Sequence, residues 1–253
     1  MAGRRTVVAL VAIACAGAAV LLLARGGNEP SPRRAAPQPR GPLAGQPPPR
    51  VRNRPVRGPF GAQVMRRTQL RARPGGRVVR ALGTHTGYGS ERVLSVVARR
   101  GPWLGVLTDH LPNSRAGWIP AESVTLLHEP YTLHVDLSRR RLVVHHEGRP
   151  VRRIAVAVGR PGNDTPTGRF AVTDLLRISR HDPQYGCCAL ALTARQPNVP
   201  QGWSGGDRVA IHGTTNEGTL GSSVSSGCLR ASDRDMRWLL SRIPLGAPVR
   251  IRA

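Results

Sequence analysis

Lysine is absent from this chain: all 38 basic residues are arginine, set against 14 Asp and Glu, for a formal charge of +24. Aromatic residues are nearly as scarce, at 4% of 253 positions. So few rings make stacking platforms for nucleic acid scarce, and no nucleic-acid motif accompanies the charge. Nucleic acid is therefore not an expected partner, and the basic balance suits anionic lipid or anionic cell-wall polymer. Metal-ligand spacings are missing too. The adjacent thiols of Cys187 and Cys188 cannot supply spaced ligands, and His145 and His146, adjacent on a strand, face opposite sides. Neither a metal nor a cofactor is expected. Cys187 and Cys188 are left as a buried pair or a vicinal disulfide.

Only one long uncharged apolar run exists, Thr6–Ala24, and Arg4 and Arg5 precede it. As a helix it spans about 28 Å, close to the thickness of a bilayer's hydrocarbon core. Residues 1–25 are read as a transmembrane anchor or signal segment, with the arginines inside and the rest exported. A cut at Ala16-Gly17-Ala18 would leave Val20-Leu21-Leu22-Leu23 on the mature terminus, so an uncleaved anchor is expected. The expected location is extracytoplasmic, membrane-anchored or secreted to the wall. Residues 26–60 are Pro, Arg, Gly and Gln with too few apolar side chains for a core, which makes them a basic Pro-rich linker.

From residue 61 the pattern becomes short apolar runs between turn signals, which predicts a mostly β chain. Residues 61–128 read as a small barrel, with Trp103 and Trp118 either lining a groove or packing its core. Residues 129–253 read as a second, β-rich domain. Tyr131–Asp136 and Arg141–His146 alternate around Ser138-Arg139-Arg140 as a hairpin, and Val151–Val158 adds a strand. Ile178–Gly206 shows little periodicity and is expected to be a long functional loop or lid, carrying Tyr185 and Trp203. Ser232-Asp233-Arg234-Asp235 opens one short helix with a cap and an acidic first turn.

The chemistry concentrates in Val209–Ser232, VAIHGTTNEGTLGSSVSSGCLRAS. His212 ends a strand-like run, and Cys228 follows sixteen positions later, after a loop of Gly, Ser and Thr. That spacing lets an imidazole on one strand meet a thiol on its neighbour, and an imidazole is the usual activator of a thiol nucleophile. Gly227 allows close backbone approach, so amides around Cys228 suit an oxyanion hole.

His212-Gly213 followed by Ser225-x-Gly227-Cys228-Leu229-Arg230 resembles the signature of the L,D-transpeptidases, the YkuD-type catalytic domain. Thr165-Pro166-Thr167-Gly168-Arg169-Phe170, after Ile154–Gly159, resembles that family's other recurrent segment. Ser226 is a departure, standing where the family usually has His. The segments Leu70–Pro74, Trp103–Val106 and Gly117–Pro120 resemble bacterial Src-homology-3-type domains.

The resemblance implies peptidoglycan cross-linking without a cofactor. Cys228 is the nucleophile and His212 the general base. Gly227 and Gly213 supply site backbone, and Ser225, Ser226, Arg230, Tyr185 and Trp203 are candidate substrate contacts. Stem peptides are the implied partners, and carbapenem β-lactams the implied inhibitors. The alternatives are an L,D-carboxypeptidase, a sortase-like Cys acyltransferase and a non-catalytic wall-binding protein. A sortase's Thr-Leu-x-Thr-Cys motif is not found, and a papain-like peptidase would place Cys before His.

Overall fold

Why the first stretch of strands forms a sheet is visible in its punctuation: Pro74-Gly75-Gly76 and Gly101-Pro102 end apolar runs, with Gly75 at φ 64° and Gly101 at φ 54°. A computed structural model describes residues 58–178, 183–198 and 206–253. The anchor 1–25, most of the linker 26–60 and Trp203 lie outside the described residues. Among the described residues no helix is long and apolar enough to cross a membrane.

The first sheet comprises β1 (Phe60–Val64), β2 (Thr68–Arg71), β3 (Val78–Leu82), β4 (Val93–Arg100), β5 (Trp103–Leu107), β6 (Ala116–Pro120) and β7 (Val124–His128). Its order is β3-β2-β6-β5-β4-β1-β7. Among the described residues no ladder joins β3 to β7, so in hydrogen bonds the sheet stays open at that seam. Leu70, Leu82, Leu104, Val106 and Ile119 form its core, each 0–1% exposed. Arg71 stacks over Trp103 at 5.7 Å and Arg100 over Trp118 at 5.3 Å, so guanidinium groups occupy the ring faces.

The second part contains β8 (Tyr131–Asp136), β9 (Arg141–His146), β10 (Arg149–Ala155), β11 (Val158–Gly159) and β12 (Gly168–Arg177). It continues with β13 (Cys188–Arg195), β14 (Arg208–His212), β15 (Ser223–Ser225), β16 (Leu229–Arg230), the helix α1 (Asp233–Arg242) and β17 (Pro248–Arg252). The main sheet runs β10-β9-β8-β17-β12-β13-β14-β16, and β11 pairs separately with β15. The predicted hairpin is β8 and β9, and the predicted helix is α1, whose Ser232 side chain accepts from the Asp235 amide.

The stretch expected to be a long loop needs correction, because β13 lies inside it. Its sequence CALALTAR is apolar on both sides, so no apolar/polar alternation marks it. One face (Cys188, Leu190, Leu192, Ala194) enters the core with Met236 and Leu239 of α1. The other face carries Ala189 and Ala191, whose small side chains leave space above the sheet.

Both sheets belong to one compact unit, Pro49–Ala253. Asn113 binds the β13 backbone in both directions, its amide donating to Arg195 O at 2.7 Å and its Oδ1 accepting from Arg195 N at 2.9 Å. Arg208 donates to Asp109 Oδ2 at 2.6 Å. Glu129, where the chain passes between sheets, is 1% exposed and packed against Gly61 and Gly246, and its Oε2 has no hydrogen-bond partner.

Burial raises the Glu129 carboxyl from 4.5 to about 7. A carboxyl raised on folding stabilises fully below its unfolded value, and that contribution is lost as pH rises through about 7. Wild type is therefore expected to lose roughly 2–3 kcal/mol between pH 4 and pH 8 from this group. Glu129→Gln should abolish that part of the dependence, being more stable than wild type at pH 8 and little different at pH 4. Urea unfolding at the two pH values measures it, and parallel losses in both proteins would refute the assignment.

Candidate active site

Parallel pairing of β14 with β16 sets Ile211 opposite Leu229 and His212 opposite Arg230. One step earlier in the same register, Cys228 stands beside Ala210. Since side chains alternate along a strand, Ala210, His212, Cys228 and Arg230 share one face. All four line a cavity of about 330 Å³, together with Tyr185, Ser225, Ser226 and Gln196. This ladder thus brings His212 and Cys228 onto neighbouring strands, as their spacing suggested.

His212 is 3% exposed, and its Nδ1 lies 2.7 Å from the Gly213 carbonyl oxygen. A carbonyl only accepts, so Nδ1 donates, and when the ring is neutral this leaves Nε2 as its basic nitrogen. Tyr185 meets the imidazole edge to face, with centroids 4.8 Å apart. Gly213 is fixed from behind. A side chain there would collide with Asp233 Oδ1, which also accepts from the Cys187 amide at 3.0 Å. The start of α1 therefore braces the histidine strand.

Ser225 is fully buried, and its hydroxyl spans the nucleophile turn. It donates to Cys228 O at 2.6 Å and accepts from Gly227 N at 3.1 Å. This corrects two expectations: the Ser225 side chain is committed to the turn, and so is the Gly227 amide expected to serve an oxyanion. The Thr165 motif meets the same turn. Gly159 pairs with Ser225, Arg160 N donates to Ser225 O at 2.9 Å, and Thr165 Oγ1 accepts from Gly159 N at 2.9 Å.

Gln196 escaped the sequence reading. Its Nε2 lies 3.2 Å from Asn163 O, 3.0 Å from Asp164 O and 3.2 Å from Ser226 O, while its Oε1 accepts from Asn198 N at 3.1 Å. One buried amide ties three loops together at the nucleophile. Ser226 meets Gln196 through its carbonyl, and its side chain is half-buried at the cavity. No motif marks Gln196, since its partners lie about thirty positions away in either direction.

Burial pushes the Cys228 thiol up, opposed by the Ala210 amide and the Arg230 charge. The resting sulfur is therefore a thiol, and attack requires proton transfer to a base. Arg230 is anchored through its backbone to Ala157 by two 2.9 Å bonds, and its buried Nε has no hydrogen-bond partner. Cys187 and Cys188 are free thiols, and burial raises Cys188 to about 12. Among the described residues no group of three His, Cys, Asp or Glu is placed to hold a metal.

The L,D-transpeptidase catalytic domain, YkuD, matches residues 130–251. The putative L,D-transpeptidase YkuD of Bacillus licheniformis is 31% identical over 122 residues, 48% of this chain and 66% of that protein. The putative L,D-transpeptidase YqjB of Bacillus subtilis is 30% identical over 132 residues, 49% of this chain and 71% of that protein. L,D-transpeptidase 3 of Mycobacterium tuberculosis, solved in complex with a faropenem-derived adduct, is 18% identical. It covers 55% of this chain and 73% of its own, with a TM-score of 0.41. The chain belongs to the L,D-transpeptidase family, a family of transferases.

Proposed function

We propose that the chain is a cysteine-dependent transpeptidase that joins peptidoglycan stem peptides through an acyl-enzyme on Cys228. The observation that carries this is Cys228 beside the His212 strand on one cavity face, with the Gly213 carbonyl holding the imidazole as a base. His212 Nε2 takes the thiol proton as Sγ attacks the carbonyl of the donor's third residue. The tetrahedral oxyanion collapses, the imidazolium protonates the departing D-Ala, and a thioester remains. A side-chain amine of a neighbouring stem then attacks, His212 removes its proton, and the sulfur leaves and is reprotonated.

With the Gly227 amide taken by Ser225, the Cys228 amide is the turn's candidate oxyanion donor. Arg230, through its unpartnered Nε, suits a stem carboxylate. Tyr185 contributes by orienting His212. The exported, wall-facing location and the anchor of residues 1–25 belong to the same reading, as do the likeness of the first sheet to Src-homology-3-type domains and inhibition by β-lactams.

The test is covalent. Full-length protein treated with a carbapenem is expected to carry one adduct, mapped to Cys228, and to release D-Ala from a tetrapeptide donor with formation of a cross-linked dimer. Cys228→Ser should abolish both, and Cys187→Ala with Cys188→Ala should retain the adduct. An adduct that persists in Cys228→Ser would overturn the mechanism.

A further inference from the structure

The strand registers lay out a trough that starts at the nucleophile and ends at the first sheet. Asp174 pairs with Ala191, Ala191 pairs with Ala210, and Ala210 stands beside Cys228. A second row runs alongside: Leu176, Ala189, His212, Arg230. Three of the four middle positions are alanine, so the floor between the outer strands is low. Three inter-strand spacings separate Cys228 from Asp174, about 14 Å. The three donor residues before the broken bond, when extended, reach about 10 Å along it.

At the far end stands a residue of the other sheet. The loop between β3 and β4 is closed by Thr86 N donating to Ser90 O at 2.9 Å and Gly89 N to Thr86 O at 3.2 Å. Thr86 Oγ1 crosses to Asp174 and donates to its Oδ1, and it also accepts from Tyr88 N at 3.3 Å. Asp174 is fully buried, and its Oδ2 has no hydrogen-bond partner. That hydrogen bond sets Tyr88 as a wall of the catalytic cavity, beside Leu176 and Arg208. A separate cavity of about 150 Å³ shares Tyr88 and Arg208 as lining and is also lined by Asp174 and Arg92. Tyr88 is 59% exposed although its ring is large and mostly apolar.

We infer that the first sheet completes the donor site, with Tyr88 packing against the end of an extended peptide distal to the bond broken at Cys228. Thr86 and Asp174 are positioning residues for that wall. The inference rests on the proposed function for the identity of the ligand, a stem peptide. It makes the first sheet a determinant of how long a donor the enzyme prefers. An aromatic ring suits this place because it offers a broad apolar face at low entropic cost, with a hydroxyl left in solvent.

Binding separates this inference from the chemistry. Calorimetry on full-length Cys228→Ala would compare a tetrapeptide donor with the dipeptide of its last two residues. Adding Tyr88→Ala is expected to weaken the tetrapeptide about tenfold and leave the dipeptide unchanged, a packing effect of ordinary size for one ring. Tyr88→Phe should keep the affinity. Thr86→Val, of equal shape but without the donor, should weaken the tetrapeptide in the same selective way. Equal effects on both peptides, or none on either, would overturn the inference. If the selective loss appears but wild type transfers no acyl group, the proposed function falls and the wall stands.

Discussion

His212→Ala is expected to lower D-Ala release by about 10²–10⁴-fold, the usual contribution of a general base. Ser226→Ala should retain most of the activity. The site distinguishes the two residues clearly. The His212 imidazole is held on both sides, by the Gly213 carbonyl at 2.7 Å and by the Tyr185 ring at 4.8 Å. Ser226 is held through its carbonyl by Gln196, at 3.2 Å. Its side chain is not part of that clamp, so Ser226→Ala leaves the clamp in place.

The thiol adds a pH signature. Because burial raises Cys228 above the ordinary 9.0, little thiolate exists near neutrality without a base. Alkylation of His212→Ala by neutral iodoacetamide should therefore be slow at pH 7 and still rising beyond pH 9. A thiolate plateau already reached at neutral pH in that variant would refute the assignment, as would equal losses of D-Ala release in the two variants.

Gly227→Ala should reduce acyl transfer by at least about 100-fold while the fold survives, a loss of the size expected when a reacting group shifts by about 1 Å. Two independent obstacles meet at this position. Its φ of 115° is open to glycine and costly for any other residue. An added methyl would also collide with Gln196 Nε2, the amide that ties the Asn163, Asp164 and Ser226 carbonyls together. Gln196→Ala removes the collision but leaves the backbone strain and also cuts the tie to the three carbonyls. The double variant should therefore recover part of the loss and no more. Circular dichroism establishes folding, and the rate of carbapenem acylation at Cys228 reads the geometry directly. Wild-type acylation by Gly227→Ala would show that the turn does not set the nucleophile.

Sequence alone determined what is written locally. The hairpin of β8 and β9 follows from alternation around one turn, and α1 follows from Ser232, its acidic first turn and its apolar stripe. His212 and Cys228 were legible as a pair because a strand, a small-residue loop and a second short strand return the chain to itself within one segment. Tertiary structure decided the rest. The strand β13 was invisible because a strand apolar on both faces shows no polar side, and its Ala/Leu alternation separates floor from core only once α1 lies on the leucines. Gln196 was invisible because its partners sit about thirty residues away on either side. Ser225 looked like a substrate contact, and only the folded turn shows its hydroxyl spent between Gly227 and Cys228. Tyr88 lies more than a hundred positions before the nucleophile, and only the packing of one sheet on another makes it part of the same cavity. Local patterns specify elements and nearby pairs, whereas the walls and braces of a site depend on long-range packing that no single segment encodes.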